Sequence, residues 1–282
     1  MLPFAIPYPP EPKEGYWGLR TATIDWCEEN YVVSHYIAEA VNTVTNSIFI
    51  ILAAYAMYQS RKQDHELRFT FIAFGFMLVG VGSWLFHMTL LYQYQLLDEL
   101  PMIYATCIPF WSVFSENVSK KRSAAVALSV FISASLLTAI YLYYRDPTIH
   151  QVSYAILNVG IIGRAAYLTK TRIADPAARK QLFTTMYMAV VIFLTGYFLW
   201  NMDIHFCGLW RSTRRSWGMP YGFVLEGHGW WHLLTGTGVY YYVVYLEYLR
   251  AHMLGRAQLY NFQWRFGIFP DIVLKQNKAK TT

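Results

Sequence analysis

The sequence predicts an all-α protein, a bundle of seven transmembrane helices with a lumenal N-terminus and a cytosolic C-terminus. Three observations predict it. Hydrophobic residues make up 55% of the 282 and charged residues 14%, with a mean hydropathy of +0.25, a balance foreign to ordinary soluble domains. Windows of about 20 mostly apolar residues, the length that crosses a bilayer core, recur along most of the chain between short polar breaks. The basic residues in those breaks are distributed unevenly, and basic loops stay in the cytosol.

Residues 1–37 form a polar, aromatic and acidic lead-in. Its apolar start MLPFAIPYPP is broken by prolines and lacks a basic segment followed by a continuous apolar run, so it does not read as a cleavable signal, and the first span is expected to direct insertion. Within the lead-in, the stretch Asp25-Trp26-Cys27-Glu28-Glu29-Asn30 offers carboxylates, an amide and backbone carbonyls, with Glu39 just beyond it. Such donors suit calcium, although the glycine and spacing of an EF-hand loop are missing. By composition a solvated acidic loop is the simpler reading.

The spans are placed at approximately 38–60, 69–90, 96–115, 124–144, 150–170, 182–202 and 221–248, each end to within several residues. The first is followed by Arg61, Lys62 and Arg68, the third by Lys120, Lys121 and Arg122, and the fifth by Lys170, Arg172, Arg179 and Lys180. With the basic tail 249–282, that side of the membrane carries 16 Lys and Arg, against six on the other: Lys13, Arg20, Arg145, Arg211, Arg214 and Arg215. The net charge of +6 therefore has a membrane explanation, and nucleic acid is not an expected partner. Trp17, Trp26, Tyr92, Tyr94, Trp210 and Trp217 fall near span ends, where aromatic rings sit at headgroup level.

Ionisable groups inside spans are costly and mark function. The second span carries His87, the third Asp98, and the seventh His228 and His232. The second runs outward while the third and seventh run inward, so these groups meet in one layer near the lumenal face. His228 and His232, four apart, share a helical face one turn apart, as two ligands of one metal must. His87 would complete a three-histidine zinc site with a fourth position for water. A lone intramembrane histidine is as readily a core group bonded to a carbonyl; three at one depth favour the metal. Ser83, four residues before His87, shares its face and is the expected donor to an oxyanion, or else a hydroxyl bonded back to its own helix. Asp98 is the expected general acid and base, or else a carboxylate placed for the helix dipole. Glu99, about 100° further around, should not face the metal with it.

Cys27 and Cys207 both fall on the oxidising side, where a bridge or two free thiols are open; Cys107 lies inside the third span and packs. The tail, with LYNFQWRFGIFP, is expected as a basic segment and, more weakly, as an interfacial helix. Lys278 and Lys280 follow the pattern of a dilysine retrieval signal, which would place the protein in the endoplasmic reticulum or early Golgi; a merely basic tail near anionic lipid is the alternative reading.

EGYWG at 14–18, DWCEENY at 25–31, YIAE at 36–39, GSWLFHMTL at 82–90, QLLDELPMIY at 95–104 and HGWWHLLTG at 228–236 resemble the alkaline ceramidases, membrane amidases grouped with the adiponectin-receptor-like zinc hydrolases. The resemblance implies zinc on His87, His228 and His232 with Ser83 and Asp98 beside it. It also implies calcium on Asp25, the Trp26 carbonyl, Glu28, Asn30 and Glu39, and a Cys27–Cys207 bridge. The implied reaction is hydrolysis of a ceramide-class lipid amide to a sphingoid base and a fatty acid, with the acyl chain in an apolar cavity among the helices. A seven-helix receptor with a structural zinc is the alternative, since fold does not fix function. A transporter would show repeats or broken midplane helices, and the sequence has neither.

Overall fold

A computed structural model describes residues 1–275; Lys278 and Lys280 lie outside the described residues. The chain forms α1 (Ala40–Thr45), α2 (Ser47–Lys62), α3 (Leu67–Thr89), α4 (Tyr92–Phe114), α5 (Lys120–Tyr144) and α6 (Pro147–Arg172). It continues through α7 (Pro176–His205), α8 (Cys207–Trp217) and α9 (Gly227–Met253) to a hairpin of β1 (Tyr260–Arg265) and β2 (Phe269–Leu274). Five stretches are long and apolar enough to cross a membrane: Ala40–Lys62 (α1 with α2), α3, α5, α6 and α7. The protein is thus an all-helical, multi-pass membrane protein in its main body. The helices α4 and α9 are comparably long but more polar, the first with Asp98, Glu99 and two internal prolines, the second with five tyrosines.

Local chemistry sets several boundaries. Asp146 and Asp175 cap α6 and α7 through backbone N–H groups, each followed by proline at the first helical position, where its missing N–H costs nothing. Between α1 and α2 the run Asn42 to Ser47 turns its side chains back on the backbone: Thr43 donates to the Glu39 carbonyl, Thr45 to that of Val41 and Ser47 to that of Val44. Such bonds compete with helix continuation, and α1 gives way to α2 at Asn46.

Packing divides the helices unequally. α9 is buried on nearly every side and packs along α7, with α2 and α1 on its other flank. α5 buries only Ala134 and Tyr141 and leaves Leu128, Phe131, Ile132 and Leu136 exposed, an apolar exterior suited to lipid.

The pair α3 and α4 is built around one close approach. Pro101 has no N–H to donate to the Leu97 carbonyl, and Gly82 of α3 lies against that carbonyl and the Asp98 backbone nitrogen, leaving no room for a Cβ. The neighbouring residues Ser83 and Asp98 are thereby brought together.

Three expectations are corrected. The seventh helix starts at Gly227, not 221: Tyr221–Leu225 is a 3-10 turn after Pro220, and Glu226 is extended and paired with Arg214. It also runs on to Met253, past the expected boundary at 248. Among its described residues the tail forms no interfacial helix, since residues 260–274 pair as an antiparallel hairpin. The alternation of aromatic and polar residues in Tyr-Asn-Phe-Gln-Trp-Arg is the period of a strand, and Gly267 supplies a positive φ of 73° at the turn. The hairpin is fixed to α2 by Tyr55 and Gln59, which donate to Asp271 at 2.9 and 2.8 Å, and to α9 by Tyr240, which donates to the Pro270 carbonyl at 2.9 Å.

Candidate active site

His87, in the last turn of α3, and His228 and His232, in the first two turns of α9, are buried and converge. Their ring centroids are 4.6 to 4.9 Å apart. Among the described residues this is the one group of three His, Cys, Asp or Glu side chains whose ligand atoms lie within 4.8 Å of one another. Three buried histidines so arranged could hold a metal ion.

The hydrogen bonds behind the rings decide which nitrogens are free. Thr45 donates its hydroxyl hydrogen to the Val41 carbonyl at 2.7 Å, so at 3.0 Å from His232 Nδ1 it accepts from that nitrogen. Nδ1 then carries the proton and Nε2 presents a lone pair. Glu39 Oε2 accepts from His87 Nδ1 with the same result. His228 Nε2 lies 3.1 Å from His232 Nε2. With lone pairs on His87 Nε2 and His232 Nε2 and a third imidazole nitrogen beside them, the donor set fits a metal. The partners Thr45 and Glu39 are the kind of supporting shell that fixes the tautomer of a ligand histidine.

Ser83 is buried one turn before His87, and its hydroxyl is in hydrogen-bonding contact with the Asp98 carboxylate. Glu99 turns away to Tyr141, with which it is hydrogen-bonded, and to Gln95 Nε2 at 3.3 Å, leaving Asp98 as the carboxylate on the Ser83 side.

The five residues of the expected calcium set gather at the N-terminal end of α1, but their side chains are differently engaged. Glu28 accepts the N–H groups of Val41 and Asn42 at 2.7 and 2.8 Å and so caps α1, whose own N-cap residue makes no side-chain cap. Burial and repulsion from Glu226 and Glu39 push its carboxyl well above the usual range, and those two N–H bonds oppose the shift. Asp25 pairs with Arg20 and accepts from Asn30 Nδ2 at 3.2 Å. Asn30 Oδ1 and Glu39 Oε1 are buried without a protein partner. The Trp26 ring lies 4.5 Å from that of His228.

Cys27 and Cys207 form a disulfide. Around it α8 grips the lead-in with three arginines. Arg211 and Arg214 both donate to the Cys27 carbonyl, at 2.9 and 3.2 Å, Arg214 also pairs with Glu226, and Arg215 pairs with Glu29. Sequence reasoning missed this helix because 11 residues bearing three arginines give no membrane signal. Spacing was the available clue, since Arg211, Arg214 and Arg215 lie on one helical face. It also missed Thr45 at the end of α1, Asn46 at the break before α2, whose Nδ2 lies 3.4 Å from His232 Nδ1, and Asp203 in α7, which accepts from the Gly227 N–H, polar residues that make sense only against their neighbours.

Comparison with known proteins identifies the family. The ceramidase family profile matches residues 18–273. The chain is 46% identical to alkaline ceramidase YPC1 of Saccharomyces cerevisiae, over 97% of this chain and 91% of that protein. It is 37% identical to alkaline ceramidase 3 of Mus musculus, over 94% and 97%, and 28% identical to an alkaline ceramidase of Arabidopsis thaliana over the same shares. Nearly the whole fold, with both halves of the histidine cluster, lies inside these matches, and the chain belongs to the alkaline ceramidase family.

Proposed function

We propose that this protein hydrolyses the amide bond of a ceramide-class lipid, releasing a sphingoid base and a fatty acid, at a zinc held by His87, His228 and His232. The observation that carries the reading is the convergence of three buried histidines, with the Nε2 lone pairs of His87 and His232 left free by Glu39 and Thr45, next to a serine and carboxylate in contact. When bound there, zinc would supply the Lewis acidity that polarises a carbonyl and lets water lose a proton near neutral pH. Asp98 accepts the proton of the attacking water and returns it to the departing sphingoid amine. Ser83 donates its hydroxyl hydrogen to the oxygen that gains charge as the carbonyl becomes tetrahedral. The amide C–N bond breaks, with the acyl group leaving as the acid.

Calcium bound near Asp25, Trp26, Glu28, Asn30 and Glu39 belongs to the same proposal as a structural ion, supported by the buried acceptors Asn30 Oδ1 and Glu39 Oε1. So does a seven-span topology with a lumenal N-terminus, supported by seven helices of 16 residues or more among the described residues and by the charge asymmetry of the loops. Residence in the endoplasmic reticulum or early Golgi completes it, and imaging a variant with Lys278 and Lys280 changed to Ser tests that part.

The deciding experiment incubates purified protein with ceramide labelled in the sphingoid base. Release of free base, abolished together with zinc content in His232→Ala, is the expected result. A parent that binds ceramide without releasing base would instead favour a receptor.

A further inference from the structure

Two of the three histidines have a protein partner on Nδ1, and His228 has none. Its Nδ1 is buried without a hydrogen bond. Close by is Asp203 of α7, 1% exposed, which no part of the reaction above uses. Its Oδ1 accepts the Gly227 N–H at 3.3 Å, and the carboxylate also lies beside the backbone N–H of His228 itself. The approach is permitted because residue 227 is glycine: a Cβ there would stand 2.7 Å from the Leu199 carbonyl and 2.8 Å from Asp203 Cβ. The other oxygen, Oδ2, is buried and unpartnered. Trp26, its ring against His228, contributes a second buried donor without a partner, Nε1.

One unpartnered acceptor and two unpartnered donors around a single imidazole are costly unless they serve one another. We propose that Asp203 is the positioning residue of His228. Oδ1 caps α9, whose own N-cap residue makes no side-chain cap, while Oδ2 takes the Nδ1–H of His228 through one water shared with Trp26 Nε1. That bond holds the proton on Nδ1 and keeps Nε2 free, as Glu39 does for His87 and Thr45 for His232. A metal-binding histidine whose other nitrogen is held by a carboxylate is a recurrent device, and losing the partner typically weakens metal binding about 10- to 100-fold. The inference rests on the zinc reading above.

Asparagine separates the two roles of Asp203. In Asp203→Asn the amide oxygen still caps the Gly227 N–H, but the amide nitrogen is a donor and cannot accept from Nδ1–H through that water. It favours the tautomer with the proton on Nε2, which cannot bind a metal. Asp203→Ala loses both roles. The measurement is the rate at which detergent-purified, full-length protein gives up zinc to a chromogenic chelator, with thermal unfolding of the zinc-stripped protein alongside. Asp203→Asn is expected to release zinc about 10- to 100-fold faster than the parent while its zinc-stripped form unfolds at the parent's temperature. Asp203→Ala should release zinc quickly and also unfold earlier. Parent-like release from Asp203→Asn, or faster release accompanied by an equally early unfolding of its stripped form, reduces Asp203 to a helix cap and overturns the assignment. A parent with no zinc on these histidines overturns the zinc reading and this assignment with it; zinc in the parent with parent-like release from Asp203→Asn overturns the assignment alone.

Discussion

Glu39 and His87 are tied twice, once through Glu39 Oε2 on His87 Nδ1 and once through the Glu39 backbone N–H, which donates to the His87 carbonyl at 3.0 Å. The start of α1 is thus locked to the end of α3 at the histidine cluster. The other carboxylate oxygen, Oε1, makes no protein hydrogen bond and is the one available to the proposed calcium ion. A single side chain joins the proposed ion sites.

Glu39→Gln keeps an acceptor for His87 Nδ1–H but removes the charge. The expected result is near-parental zinc content with hydrolysis that needs at least about tenfold more calcium, the affinity lost with a little over 1 kcal/mol. Glu39→Ala should also lose zinc about 10- to 100-fold more readily. Calcium titration of hydrolysis with metal analysis checks both. A Gln variant with the parent's calcium response removes Glu39 from the ligand set, and a parent indifferent to calcium removal retires the ion altogether.

Asp98→Asn should lower turnover about 10²- to 10⁴-fold and Ser83→Ala about 10²- to 10³-fold, each with zinc retained. Gly82→Ala touches neither side chain, yet its Cβ would collide with the Leu97 carbonyl and spread α3 from α4, at about 1 to 3 kcal/mol. It should therefore slow hydrolysis by separating Ser83 from Asp98. Labelled-ceramide turnover and metal content, measured on the same preparations, decide. Full activity in Gly82→Ala would show that the close approach is not needed.

The disulfide spans 180 residues and fastens the lead-in to α8 beside the Arg214–Glu226 pair. Cys207→Ser is expected to cost roughly 2 to 4 kcal/mol, seen as a lower inactivation temperature that a reducing agent no longer changes. The parent should fall to the same temperature under reduction. If reduction leaves the parent unaltered, the arginines of α8 hold the segment without the bridge.

His65, in the turn between α2 and α3, stacks on Tyr260 of the hairpin at 5.0 Å. Burial, aided by Arg256 and opposed by Asp271 and Asp64, lowers its pKa from 6.5 to about 4. The unfolded chain therefore takes up a proton that the folded state refuses between about pH 6.5 and 4, and stability present above that window is lost as pH falls through it. His65→Phe keeps the stacking and removes the titration, so its unfolding temperature should fall less steeply than the parent's over that range. Parallel slopes would exclude His65 as the acid-sensitive group.

Much was already determined by the sequence alone. Apolar windows marked the long helices because the membrane demands length and hydropathy, which are local properties. The His228 and His232 spacing and the shared face of Ser83 and His87 followed from helical periodicity, and Glu99 did point away from Asp98 as 100° per residue requires. Only the tertiary structure decided the rest. Whether Glu39, Thr45 or Asp203 supports a ligand histidine depends on which helix lies opposite, and the chain brings together residues 39 and 87, 45 and 232, and 203 and 227 across separations that no local pattern encodes. The same holds for α8, whose arginines find carbonyls and carboxylates from the lead-in some 180 residues earlier, and for the start of α9, set by a cap from α7. Periodicity is a property of one helix, whereas hydrogen-bond partners and close approaches are properties of two.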